Sequence, residues 1–95
     1  MAEFDIHRED GPTSGRYVVM VDGHEAELTF SKAGTTRIII DHTEVPGALA
    51  GRGVGVALVK RAVEDARAAG IRIIPLCPYA RAQIEKHKEW QDVLQ

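Results

Sequence analysis

The sequence predicts an α+β fold: a mixed, mainly antiparallel sheet of about five strands with two helices, in the order β-β-β-β-α-β-α. Three observations carry this. The pair Asp22-Gly23 stands between two strand-like runs, the segment Val54 to Ala69 has helical periodicity, and a short β-branched run follows that helix at once. At 95 residues the chain fits one domain, 1–95, without a linker, near the size where a single apolar core has little stability to spare.

Phe4-Asp5-Ile6-His7 alternates apolar and polar residues and predicts a first strand; Asp10 to Gly15, dense in turn formers, ends it. Tyr17 to Val21 is β-branched and aromatic, and His24 to Phe30 places Ala26, Leu28 and Phe30 at period two. Asp-Gly between these runs predicts a type I′ hairpin, because both central residues of that turn need positive φ. A turn at Lys32-Ala33-Gly34 leads into Thr35 to Ile40, a run expected to be buried on both faces. The first half is thus four antiparallel strands.

In Val54 to Ala69, the residues Val54, Gly55, Leu58, Val59, Ala62, Val63, Ala66 and Ala69 fill about half of a helix circumference at ~100° per residue, a face wide enough to lie flat on a sheet. Gly70 supplies the C-terminal stop. Ile71 to Cys77 is then a strand, and the order strand, loop, helix, strand makes a right-handed crossover with parallel pairing the expectation. Pro75 has no N–H, so the sheet must be at an edge, bulged or splayed there. Tyr79 to Lys88 is helix-compatible, and Glu89 to Leu94 either extends that helix or turns back.

The balance of residues excludes several functions. The chain is 44% hydrophobic and 27% charged, without an apolar run long enough to span a bilayer. Twelve dispersed Lys and Arg against fourteen Asp and Glu weigh against nucleic-acid binding, which needs clustered cations. His7, His24, His42 and His87 lack metal-ligand spacing, so no metal is expected. The N-terminal residues do not resemble a secretory signal, and a cytoplasmic location is the default expectation. Cys77, the single cysteine, is either a small buried side chain or a reactive thiol.

Gly51-Arg52-Gly53-Val54-Gly55 stands between a strand and the amphipathic helix, where backbone N–H groups and the helix dipole can receive an anion such as a pyrophosphate. Val56-Ala57 after the last glycine excludes a P-loop, and the missing third glycine of G-x-G-x-x-G excludes a dinucleotide fingerprint. Taken alone, the glycines serve equally well as a plain tight turn.

The segment resembles the coenzyme A loop of GCN5-related N-acetyltransferases, whose pattern is Gln/Arg-x-x-Gly-x-Gly/Ala. Gly53 and Gly55 occupy its small-residue positions, and Ala50 stands where Gln or Arg is usual. The chain also resembles a miniature single-domain branch of that superfamily through His42-Thr43-Glu44-Val45-Pro46, Cys77-Pro78 and Lys86-His87-Lys88-Glu89-Trp90, from Ile38 to Leu94.

The resemblance implies a truncated acyl-CoA N-acyltransferase fold, in which the strand before the loop splays from the strand after the helix to admit the pantetheine arm. It implies acetyl-CoA as cofactor, with Thr43, Val45, Gly51, Arg52, Gly53, Val54 and Gly55 in contact and Arg81 within reach of the phosphates. It also implies transfer to an amine of unidentified structure, with Cys77 as a covalent acetyl carrier. His42 and Glu44, on one face of their strand by alternation, are candidates to deprotonate the amine, and Tyr79 to protonate the leaving thiolate. The short Asp10 to Gly15 connection suggests an open acceptor site suited to a macromolecular amine. The competing expectation is a non-catalytic CoA-responsive binding module. A monomer or weak dimer is expected in either case.

Overall fold

Asp22 and Gly23 adopt φ of 51° and 80°, and this turn makes the strands on either side adjacent. In the computed structural model, which describes residues 4–95, the strands are β1 (His7–Asp10), β2 (Ser14–Val21), β3 (His24–Ala33), β4 (Arg37–Glu44) and β5 (Arg72–Pro75). They form one sheet in the order β1-β2-β3-β4-β5, antiparallel except for the parallel β4–β5 pair. Helix α1 (Val54–Ala69) makes the crossover, α2 (Pro78–Lys86) follows β5, and a 3-10 segment (Lys88–Val93) turns the chain back. That return pairs Leu94 with Ile73 on the outer edge of β5.

Helix α1 starts and ends as its periodicity predicts, and Gly70 closes it in the left-handed conformation. Its buried residues, Val54, Leu58, Val59, Ala62, Val63 and Ala66, meet Tyr17, Val19, Leu28, Phe30 and Ile40 of the sheet in one core. Ala69, assigned to the apolar face from the sequence, is exposed at the last turn.

Two expectations need correction. The first strand is His7–Asp10 rather than Phe4 to His7: Phe4 and Ile6 pack against the core from a non-strand segment, and the ladder begins with His7 opposite Val18. The Ile38 to Ile40 stretch is buried on one face only. Ile38 and Ile40 enter the core, whereas Ile39 looks to the opposite face, on which no helix packs among the described residues. Among these residues, too, no helix is long and apolar enough to cross a membrane.

Pro75 lies opposite Ile40, at the end of the β4–β5 pairing. Arg72 donates its N–H to Thr36, so by alternation Ile73 and Pro75 turn their backbone groups to the outer edge, where the Ile73 carbonyl accepts from Gln95. A missing N–H at residue 75 therefore removes no bond to β4. The last link between these strands is the Cys77 N–H donating to the Ile40 carbonyl at 3.0 Å, and beyond it they part.

Gly15 shows how little room the sheet leaves. A Cβ there would lie 2.6 Å from Phe30 Cζ and 2.7 Å from the Glu9 carbonyl oxygen. Phe30 is fully buried and the Glu9 carbonyl is backbone, so neither can retreat. Gly15→Ala should therefore cost about 1–3 kcal/mol, read as a lower urea midpoint with unchanged slope.

Candidate active site

The site forms where β4 leaves β5. Between Thr29 and Phe30 the β3–β4 register shifts: Phe30 pairs with Ile40 and Thr29 with His42, which leaves Asp41 as an extra residue on β4. Such a bulge reverses the inward and outward alternation beyond it. Ile38 and Ile40 face the core before the bulge; Thr43 and Val45 face the helix side after it, and His42 and Glu44 face the uncovered side.

A cleft of about 480 Å³ lies on the helix side, lined by Thr43 and Val45 of the β4 end, by Leu49, Ala50, Gly51 and Gly53 of the loop, by Val54, Gly55 and Val56 of α1, and by Tyr79 of α2. Gly51 and Gly53 adopt φ of 77° and 78°, where a side chain would be strained, and a Cβ on either would meet nothing within 4 Å. The space over both glycines is thus open to a ligand. The first helical hydrogen bond at this end runs from the Ala57 N–H to the Gly53 carbonyl. The N–H groups of Val54, Gly55 and Val56 are left outside the ladder, at the positive end of the helix dipole and uncapped by any side chain. Free N–H donors thus stand at the mouth of an apolar slot, an arrangement that can receive an anionic group with an apolar arm.

Gly55 has a different reason to be glycine. A Cβ on it would lie 2.6 Å from the Tyr79 hydroxyl, so the tyrosine ring occupies the place of a side chain on α1. Burial, and the charge of Cys77 beside it, push the Tyr79 hydroxyl above its ordinary pKa, so it keeps its proton.

Cys77 is the N-cap of α2, with Pro78 in the first turn. It is buried just behind the cleft wall, with Sγ 3.6 Å from Thr43 Oγ1. Burial alone pushes this thiol up; the backbone N–H groups of Ala80 and Tyr79 at the start of α2, together with Thr43, favour the thiolate and outweigh it, so the thiol is held below its ordinary value.

Of the residues expected from the sequence, Thr43, Val45, Gly51, Gly53, Val54, Gly55 and Tyr79 line one cleft, and Cys77 backs it. His42 and Glu44 lie together, 4.0 Å apart, on the other face of the sheet. Arg52 does not point into the cleft; it donates to Asp22 at 2.6 Å, tying the loop to the β2–β3 hairpin and holding the Asp22 carboxyl below its usual range. Arg81 is turned to the Pro75 carbonyl, away from the glycine loop. The sequence reading missed Leu49, Ala50 and Val56 in the lining. Leu49 carried a signal: it is a large apolar residue in a glycine-rich connection, and it is fully buried.

Sheet order, crossover helix and parted strands define an acyl-CoA N-acyltransferase fold. Residues 16–93 match the family described as GCN5-related N-acetyl-transferase. The solution structure of a GCN5-like candidate N-acetyltransferase from Staphylococcus aureus is similar at 34% identity and a TM-score of 0.73, over 94% of this chain and 87% of that one. No curated protein sequence matches significantly. The chain belongs to the GCN5-related N-acetyltransferase family.

Proposed function

We propose that this protein is an acetyl-CoA-dependent N-acetyltransferase that moves an acetyl group to an amine through Cys77. The observation that carries the reading is the coincidence, at one parted strand pair, of an anion cradle, an apolar slot, a thiol held below its ordinary pKa and a protonated tyrosine. Bound acetyl-CoA supplies an activated acetyl thioester. Gly53 to Val56 hold its diphosphate through backbone N–H groups, and Thr43 and Val45 flank the arm where β4 has parted from β5.

The Cys77 thiolate attacks the thioester carbonyl, a new carbon–sulfur bond forms at Cys77, and the bond to the leaving sulfur breaks. Tyr79 gives that sulfur its proton. An amine then attacks the acetyl-cysteine carbonyl and restores the Cys77 thiolate. The Tyr79 phenolate left by the first step takes the amine proton, whereas His42 and Glu44, expected from the sequence to do so, lie on the other face of the sheet from the cleft. Mixing the protein with acetyl-CoA should yield an intact-mass adduct of one acetyl group. Absence of coenzyme A binding would overturn the whole reading.

Gly55→Ala tests the position of Tyr79. The contact atoms are the far end of a flexible side chain, so the ring swings out rather than unfolding the helix. The variant should match Tyr79→Phe in losing ~10²-fold in kcat, with a change in melting temperature of only a few degrees. Equal kcat in wild type and Gly55→Ala would remove Tyr79 from the mechanism.

One observation favours a second reading. No side-chain cation lines the cleft: Ala50 stands at the usual Gln or Arg position, and Arg52 is held by Asp22. A CoA-responsive binding module needs no more than the backbone cradle. Tight cofactor binding without adduct or turnover would select it.

A further inference from the structure

The β2–β3 hairpin runs past the end of β4. Glu44, the last residue of β4, lies opposite Glu27, whereas β3 continues beside β2 through Ala26 and Glu25 to the turn at Asp22-Gly23. The loop that follows β4 comes back beside this overhang, and there Arg52 Nη1 donates to Asp22 Oδ2 at 2.6 Å.

Residues 50–53, between buried Leu49 and buried Val54, are exposed, and Arg52 stands between Gly51 and Gly53 at φ of 77° and 78°. Glycine on both sides gives this stretch more conformational freedom to lose than any other residue would. Among the described residues, its side-chain tie to the sheet is the Arg52–Asp22 pair, and no side chain caps α1. The loop that presents the free N–H groups is therefore fixed from outside the cleft, by the hairpin.

The turn itself does not require an acid at position 22. Asp22 has φ of 51°, and asparagine accepts that conformation in a type I′ turn as well as aspartate does. By charge alone, a carboxylate beside a loop that receives an anion is adverse. Paired with Arg52, the same carboxylate becomes an anchor.

We propose that Asp22, on the hairpin and outside the cleft, is a positioning residue for cofactor binding: through Arg52 it holds the glycine loop so that the N–H groups of Val54, Gly55 and Val56 stay open to a diphosphate. The proposal rests on the coenzyme A reading of the cleft and gives the β2–β3 hairpin a part in it. An exposed ion pair adds little to global stability, so its effect is felt in binding, where a loop already ordered need not be ordered by the ligand. Arg52 stays on Asp22 when the cofactor is bound.

The test is calorimetry of the full chain with coenzyme A, on Asp22→Asn, Arg52→Gln and the double variant. Each single variant should weaken binding about threefold to fivefold at low salt, and the double variant should be no weaker than either, because each removes the same pair. Arg52→Lys, which keeps the charge, should recover most of the affinity. The differences should shrink below about twofold at ~0.5 M salt. Without ligand, the melting temperature of Asp22→Asn should stay within roughly 4 °C of wild type. The acetyl-CoA concentration that half-saturates adduct formation should rise by the same factor as the dissociation constant while the limiting rate stays constant, a split that general damage to the fold would not give.

Unchanged affinity in Asp22→Asn, tighter binding in Asp22→Asn, or single losses that multiply in the double variant would overturn the proposal. Tighter binding would mean that Asp22 withholds Arg52 from the phosphates, and multiplied losses would mean that the two residues act separately. Any of these with coenzyme A bound by wild type removes this proposal alone. Absence of binding by wild type removes the acyl-transfer reading and this proposal with it.

Discussion

Cys77→Ser should eliminate the acetyl adduct and lower kcat at least ~100-fold while leaving coenzyme A affinity within about threefold, because a hydroxyl of similar size preserves the α2 N-cap but supplies no thiolate at neutral pH. Sγ lies within hydrogen-bond reach of Thr43 Oγ1, at 3.6 Å, and a serine hydroxyl can keep that partner. Loss of activity through misfolding is thereby separated from loss of the nucleophile.

The pH dependence has a definite sign. Adduct formation in wild type should rise with pH and reach half its limit below 9.0, the ordinary thiol value from which Cys77 is lowered. By linkage, ionised Cys77 adds stability at and above that ordinary value, and this is lost as pH falls through the lower folded value. Stopped-flow measurement of adduct against pH checks both statements. A midpoint above 9.0 would mean that burial, not the α2 N-terminus, controls the thiol.

Leu58→Ala should be the largest purely structural loss. Leu58 is fully buried on the face of α1 that covers the sheet, and its truncation should cost about 2–5 kcal/mol, a large share of the ~5–15 kcal/mol typical of a whole domain. Saturating coenzyme A at about a hundred times its dissociation constant should return roughly 2.7 kcal/mol. The cofactor ought therefore to rescue most of the melting temperature of this variant. Rescue is the discriminating part. A destabilised variant that coenzyme A does not stabilise would show that the cleft does not bind it.

Much of the fold is legible in the sequence because its signals are local. Asp22-Gly23 specifies its turn through φ, and the repeat from Val54 to Ala66 together with Gly70 marks the limits of α1. The first strand is displaced because Phe4 and Ile6 imitate strand alternation while serving the core from outside the sheet. Asp41 is harder still. A bulge residue has no compositional mark, yet it decides that Thr43 and Val45 face the cleft and that His42 and Glu44 face away. Continued alternation from Ile38 and Ile40 would have put His42 and Glu44 inside. The Arg52–Asp22 pair joins positions far apart in the chain, and only the fold brings them together.

The central claim is that the loop from Gly51 to Gly55, with the parted ends of β4 and β5, is a coenzyme A site. Calorimetric titration of the whole protein with coenzyme A and with acetyl-CoA tests it most directly. One molecule of each bound per chain, with a negative heat-capacity change from burial of the pantetheine arm, is the predicted result. No heat of binding and no shift in melting temperature with either ligand would contradict it.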